Sequence, residues 1–276
     1  MLILIMEGKM KRNLRLFFYL VFMFIFLLSF SKDRDISYTL TMYVGDVKVS
    51  MDNSASWIPA KADMKLKENS IVKTGRESSC DIMIPKKGMF RIVENSLVVM
   101  SKIREKLEEI KIKKGKVLFS ITGKIKDDEK FSIHTEVAIA SVRGTKFIIQ
   151  TDEKKVKCSV AEGSVVIRRN ITLPVEIEDE EITSKLEVVA GANQEIELTM
   201  DENKALENLL NRVKDNMNEF KRILSQSQRE TQKKVRMIKN VRRVLEELHQ
   251  FEEVQNQDET QEMDETEELI ERVKQK

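Results

Sequence analysis

Between residues 38 and 198 the apolar residues fall in short runs, and within a run they alternate with polar positions. In the stretch Glu136–Gln150, Val137 and Ile139, and past a turn Phe147 and Ile149, are apolar at two-residue spacing, which is how a strand presents one face to a core. Gly45, Gly75, Gly88, Gly115, Gly123, Gly144, Gly163 and Gly191 separate the runs, at the spacing of hairpin turns in an all-β domain. The phrases Val44-Gly-Asp-Val47, Lys114-Gly-Lys-Val117 and Glu162-Gly-Ser-Val165 share one form, as stacked hairpins of a solenoid would. An antiparallel sandwich produces the same phrases, so the expected class is mainly β, antiparallel sandwich or solenoid-like stack of hairpins, over residues 38–198.

Past Asp201 the period changes. Gly and Pro vanish, and Leu206, Leu210, Val213, Met217, Phe220 and Leu224 follow at steps of four and three. Ile238, Val241, Leu245 and Leu248 resume the series after three polar seam positions, Ser227, Thr231 and Lys234. This predicts a helical, coiled-coil-like segment over 201–250 with Thr199 or Asp201 as its N-cap and a hinge or antiparallel turn near Ser225–Gln232. A homo-oligomer through residues 206–248 and a single helix lying back on the β module fit that pattern about equally. Within the β module, Ser96–Glu109 reads as a charged excursion or one helical turn, and Trp57 as a side chain packed on the edge of the core.

Charge changes this picture at the two ends. Lys and Arg number 48 against 46 Asp and Glu, so a net charge of +2 gives no argument for nucleic acid. Lys9, Lys11, Arg12 and Arg15 precede the apolar run Leu16–Leu28, whose 13 residues suit a signal peptide better than a spanning helix. Residues 1–31 are therefore expected to be a signal peptide cleaved before Lys32, or an uncleaved anchor, and the chain to be exported to the periplasm or envelope. Arg212–Arg243 holds 11 basic and 3 acidic residues, whereas Phe251–Ile270 holds 9 acidic and none basic. The tail 251–276 reads as acidic and disordered.

Little chemistry stands out. No phosphate loop, zinc-protease helix or nucleophile elbow occurs, which argues against an enzyme and against a cofactor or metal. His134 reads as a rim residue without an evident nucleophile or carboxylate orienter. Cys80 and Cys158 share strand parity with aliphatic neighbours and read as two buried thiols, a disulfide between them being the minor alternative. Arg143, beside the Gly144 kink, reads as satisfying carbonyls or one carboxylate.

The run Arg143-Gly-Thr145 with Phe147 resembles the signature of the FecR-type domain, the extracytoplasmic module named for the regulator of iron-dicitrate uptake. Ile71–Ile84, Gly88–Ile92, Glu94–Leu97, Ile110–Phe119 and the closing hairpin Val156–Ile167 around Gly163 are similar to its further motifs in the same order, over about Tyr38 to Leu198. The resemblance makes Arg143, Gly144, Thr145, Phe147 and Gly163 structural signature residues. Together with the export signal and the lack of catalytic motifs, it leads to the expectation of an exported, non-enzymatic binding, sensing or scaffold module whose partner is an envelope protein or cell-wall polymer, whereas the resemblance by itself implies an anti-sigma regulator. The alternatives are a membrane-anchored anti-sigma-type regulator linked to metal uptake and a self-assembling structural protein of the cell wall.

Overall fold

The computed structural model describes residues 37–51, 56–104, 106–122, 129–174, 180–239, 243–244 and 246–247, all within one compact unit, Ser37–Lys276. The expected signal segment 1–31 and the acidic tail 251–276 lie outside the described residues. In chain order the first strands are β1 (Tyr38–Val44), β2 (Val47–Ser50), β3 (Ile58–Pro59), β4 (Met64–Leu66), β5 (Ile71–Thr74), β6 (Ser79–Ile84), β7 (Gly88–Ile92), β8 (Leu97–Arg104) and β9 (Leu107–Ile121). There follow β10 (Lys130–His134), β11 (Ala138–Val142), β12 (Thr145–Thr151), β13 (Lys155–Glu162), β14 (Ser164–Arg169), the short helix α1 (Glu180–Ser184), β15 (Glu187–Gly191) and β16 (Gln194–Thr199). Helices α2 (Met200–Arg212) and α3 (Met217–Lys233) and the two-residue β17 (Arg236–Met237) complete the described elements.

All seventeen strands join one mixed sheet, so the chain is mainly β. Its pairings trace two halves. One runs β4–β1–β6–β7–β9–β12–β13–β16–β17. The other runs β3–β2–β5–β8–β9–β10–β11–β14–β15. Only β9 belongs to both, its first arm pairing β8 and β10 and its second arm β7 and β12.

Gly115 divides the arms at a φ of +108°, and a Cβ there would lie 2.1 Å from the Ser96 hydroxyl oxygen, so only glycine fits the bend. The arms fold toward one another: the Lys87 carbonyl accepts from the amide of Thr122, while its Nζ reaches Glu108 at 3.5 Å and Glu129 at 3.0 Å, which flank the far end of β9 and the start of β10. This return brings β10 alongside the first arm in the same direction, giving a parallel pair where a wholly antiparallel sheet was expected.

The glycines therefore mark another feature than hairpin turns. Gly45, Gly75, Gly144, Gly163 and Gly191 sit, like Gly115, where the chain passes from one half of the sheet to the other. Gly123 lies outside the described residues; among the expected turn glycines within them, Gly88 alone starts a strand after a hairpin, β6 to β7. Ser96–Glu109, read as an excursion, is most of the β8–β9 hairpin, because Val98, Met100, Ile103 and Ile110 alternate inward.

Side chains of both halves meet across a shared core. Phe90, Phe119 and Phe147 lie in register on β7, β9 and β12 with ring centroids 5.5 and 4.8 Å apart, and Tyr38 meets Phe90 edge-on at 6.2 Å. A small cavity beside them is walled by Ile133, Ala140 and Ile167 from one half and Ile149, Cys158 and Leu198 from the other. Trp57 is no part of this core. It is exposed, with Lys73 Nζ 5.9 Å from its ring.

Thr199 caps α2, its hydroxyl accepting from the amide of Glu202. The helix pair breaks at residues 213–216 instead of the expected Ser225–Gln232, with Asn216 capping α3. Leu206, Leu210, Phe220 and Leu224 pack with Ile182 and Leu186, so these seam residues are buried inside the chain. Buried Arg169 at the end of β14 fastens the pair: its guanidinium donates to Asn203 Oδ1 (2.8 Å), Thr231 Oγ1 (3.1 Å) and Glu202 (3.1 Å). Thr231, a polar gap in the apolar series, is thus the partner of a buried cation. Gln228 and Gln232 of α3 donate to carbonyls of Glu187 and Val189 and so cover the outer edge of β15, while β17 covers that of β16.

Candidate functional site

The Arg-Gly-Thr segment forms one of two corners that stack where the chain changes halves. Gly144 and Gly163 carry φ of +62° and +77°, and a Cβ on Gly163 would stand 2.5 Å from the Gly144 carbonyl oxygen. Thr145 is buried between them, its hydroxyl directed at the Ser164 carbonyl (2.9 Å) with the Arg143 carbonyl at 3.3 Å. Phe147 continues inward into the ring stack. Gly163, Thr145 and Phe147 therefore build the corner, and Arg143 projects from it on the exposed side.

Arg143 borders an open groove of about 590 Å³ on the outer face of β10, β11 and β14. Strand register sets its wall: Ser132 is opposite Ser141, His134 opposite Ile139, and Ile139 opposite Arg168. The expectation that Ile139 faces the core is corrected here. The inward positions of β11 are Ala138, Ala140 and Val142, and its outward ones are Ile139 and Ser141. The larger Ile139 lies half-buried in the groove, and this outward aliphatic was the local signal that the spacing argument passed over.

His134 is half-buried, its Nε2 3.0 Å from the Ser132 hydroxyl oxygen. Burial lowers its pKa below the ordinary 6.5, and the cations of Lys102, Arg168 and Lys111 act in the same direction against the nearby Glu109 carboxylate. The imidazole is thus neutral at neutral pH and offers one donor and one acceptor. A serine beside a histidine invites comparison with nucleophilic catalysis, which needs a carboxylate to orient the ring. The Glu109 carboxylate is held instead by Lys102 at 2.9 Å. What the groove offers is recognition: two guanidinium groups, two serine hydroxyls and a neutral imidazole around an aliphatic floor.

The cysteines lie elsewhere, both buried as free thiols. They share one lateral row, Cys80–Ile92–Val117–Ile149–Cys158, which separates them by four strand spacings. At ~4.8 Å per spacing their Cα atoms stand roughly 19 Å apart, far beyond the ~7 Å reach of a disulfide, so the disulfide alternative is set aside. Burial pushes the Cys158 thiol up to about 12 and the Cys80 thiol higher still. Among the described residues no group of three or more His, Cys, Asp and Glu is placed to hold a metal ion.

Residues 70–166 match the family model of FecR protein. The FecR match begins beside β5 and ends in β14, so it contains both stacked corners and most of the groove wall. It is narrower than the resemblance read from the motifs, leaving β1–β4, the helices and Arg168 outside. Two crystal structures of a putative anti-sigma factor from Parabacteroides distasonis ATCC 8503, at 1.65 and 2.50 Å resolution, are similar at 12% identity and a TM-score of 0.37. Each comparison covers 46% of this chain and 53% of the other, so the chain spans about half the length of those structures. The likeness is too slight to carry an argument. No curated protein matches.

Proposed function

We propose that the chain is an exported, non-enzymatic FecR-type module that binds a protein of the cell envelope and senses its presence, with the groove beside Arg143 as the contact. The observation that carries this reading is that the FecR match brings its exposed arginine to a preformed concave face lined by donors, acceptors and an outward aliphatic. Such a lining orients a partner without reacting with it. Glu109, the carboxylate whose charge acts on His134, is engaged by Lys102. A regulatory role in signalling accords with the family matched. No helix among the described residues is long and apolar enough to cross a membrane, and the apolar run Leu16–Leu28 lies outside them.

The buried native thiols make a clean test available. Ser141→Cys places one exposed thiol in the groove, and Gln150→Cys places one on the other half of the sheet as a control. In intact cells a membrane-impermeant maleimide should label both, with the groove thiol labelled several-fold more slowly than the control and the two rates converging in purified protein. Labelling only after the cytoplasmic membrane is opened would overturn export. Equal rates in cells and in purified protein would overturn occupancy of the groove.

A further inference from the structure

The outer face that carries the Arg143 groove continues past β10 onto the first arm of β9 and then β8, β5 and β2, where its chemistry turns lysine-rich. Strand register puts Lys48 directly opposite Lys73, Lys73 opposite Leu97 and Leu97 opposite Lys114, in one lateral row. Lys111, opposite Val99, and Lys113 stand beside that row. Asp46 pairs with Lys48 at 3.3 Å, and Glu136 is shared by Lys111 at 3.2 Å and Lys113 at 3.3 Å. Among the described residues Lys73 and Lys114 have no carboxylate partner, and Glu109, the next acid on this face, is held by Lys102. Five lysines thus face two carboxylates. Like charges directly opposite one another weaken a strand pair, so Lys48 against Lys73 costs stability unless something negative lies over them.

We propose that this lysine ledge is where the module lies against an anionic lipid surface, with Trp57 and Ile58 at its β3 end entering the headgroup layer. Both are exposed, and Lys73 Nζ is 5.9 Å from the indole ring. Tryptophan beside lysine is the combination that settles at a membrane interface, because the ring has an apolar body and a polar edge while the ammonium groups meet lipid phosphates. The cations of the ledge are all lysine, spread over a pleated face with half-buried Leu97 and Val99 between them. Point charges on flexible apolar stems suit a continuous negative surface, whereas a single phosphate or carboxylate is better held by the fork of an arginine. The ledge uses none of the residues that line the groove, so either proposal can fail without the other.

Trp57 is the chain's one tryptophan, so its emission reports contact at the ledge itself. The full chain is titrated with vesicles of equimolar phosphatidylglycerol and phosphatidylcholine and, in parallel, with vesicles of phosphatidylcholine alone. The apolar run Leu16–Leu28 would act on both alike. Trp57 emission should move to the blue on the anionic vesicles only, and added salt should reverse the shift. Lys114→Gln should raise the lipid concentration needed about fivefold. Lys204→Gln, at an exposed lysine of α2, should leave that concentration unchanged. No shift on anionic vesicles would overturn the proposal, and so would the same shift on both vesicle types, which would leave only an apolar contact. Equal weakening by the two substitutions would reduce the ledge to its share of the net charge and overturn it too. A matching shift with soluble polyphosphate, abolished by Lys114→Gln, would assign the ledge to a phosphate polymer instead of a lipid surface. Should Lys114→Gln not fold, failure of salt to reverse the wild-type shift would overturn the charge contact.

Discussion

Gly144 and Gly163 carry nearly the same left-handed backbone but different surroundings, which separates the two costs of a side chain. A Cβ on Gly144 meets nothing within 4 Å, so Gly144→Ala should cost only the backbone strain, about 1–2 kcal/mol. A Cβ on Gly163 meets the Gly144 carbonyl at 2.5 Å, and moving a backbone carbonyl adds an overpacking penalty, for a total of roughly 2–5 kcal/mol. Urea unfolding of the two variants should show that order, and equal midpoints would mean that the corners are not stacked as described. At this scale the sequence was legible in strand parity, from which the burial of both cysteines follows. It was misleading on β11, where a large aliphatic stands on the outward face. Spacing assigned Ile139 to the core, but the inward positions of β11 are taken by the smaller Ala138 and Ala140, which is visible only once the facing half is in place.

Among the elements, the helix pair depends most on a single side chain. Arg169→Met keeps the bulk of the stem but leaves Asn203 Oδ1 and Thr231 Oγ1 buried without their donor, at a cost of about 2–4 kcal/mol to docking of α2 and α3. Amides of α2 and α3 should then exchange much faster while those of β9 and β12 keep their wild-type rates; uniform acceleration would show that the helices and the sheet unfold as one. The apolar series of this region was readable because a period near 3.5 survives whatever the helix packs against. Which surface it meets was not, since Leu206, Leu210, Phe220 and Leu224 suit a second copy as well as Ile182 and Leu186. Thr231 looked like a weak point in the seam because its partner, Arg169, is 62 residues away in the chain.

Across the whole molecule, carboxylates tie the C-terminal elements to a sheet that has its own core, and acid should therefore take the molecule apart in order. Burial pushes the Glu202 carboxyl up, but Lys234 and Arg169 outweigh it and leave its pKa below the ordinary 4.5. Glu195 behaves alike, burial opposing and Lys157 and Arg236 prevailing. Groups with a lowered folded pKa contribute stability that is full above 4.5 and is lost as pH falls through the folded value. Both act on the attachment of α2, α3 and β17. Inside the β module Glu108 has the opposite sign: burial raises its pKa despite Lys87, so its contribution is full below 4.5 and lost as pH rises through the raised value. Acidification thus removes the helical attachments while relieving a strained carboxylate beneath the sheet. Circular dichroism at 222 nm, dominated by the helices, should fall at a higher pH than the thiols of Cys80 and Cys158 become reactive, because those thiols open only with the core. A single coincident transition would show that the helices are part of the sheet's cooperative unit.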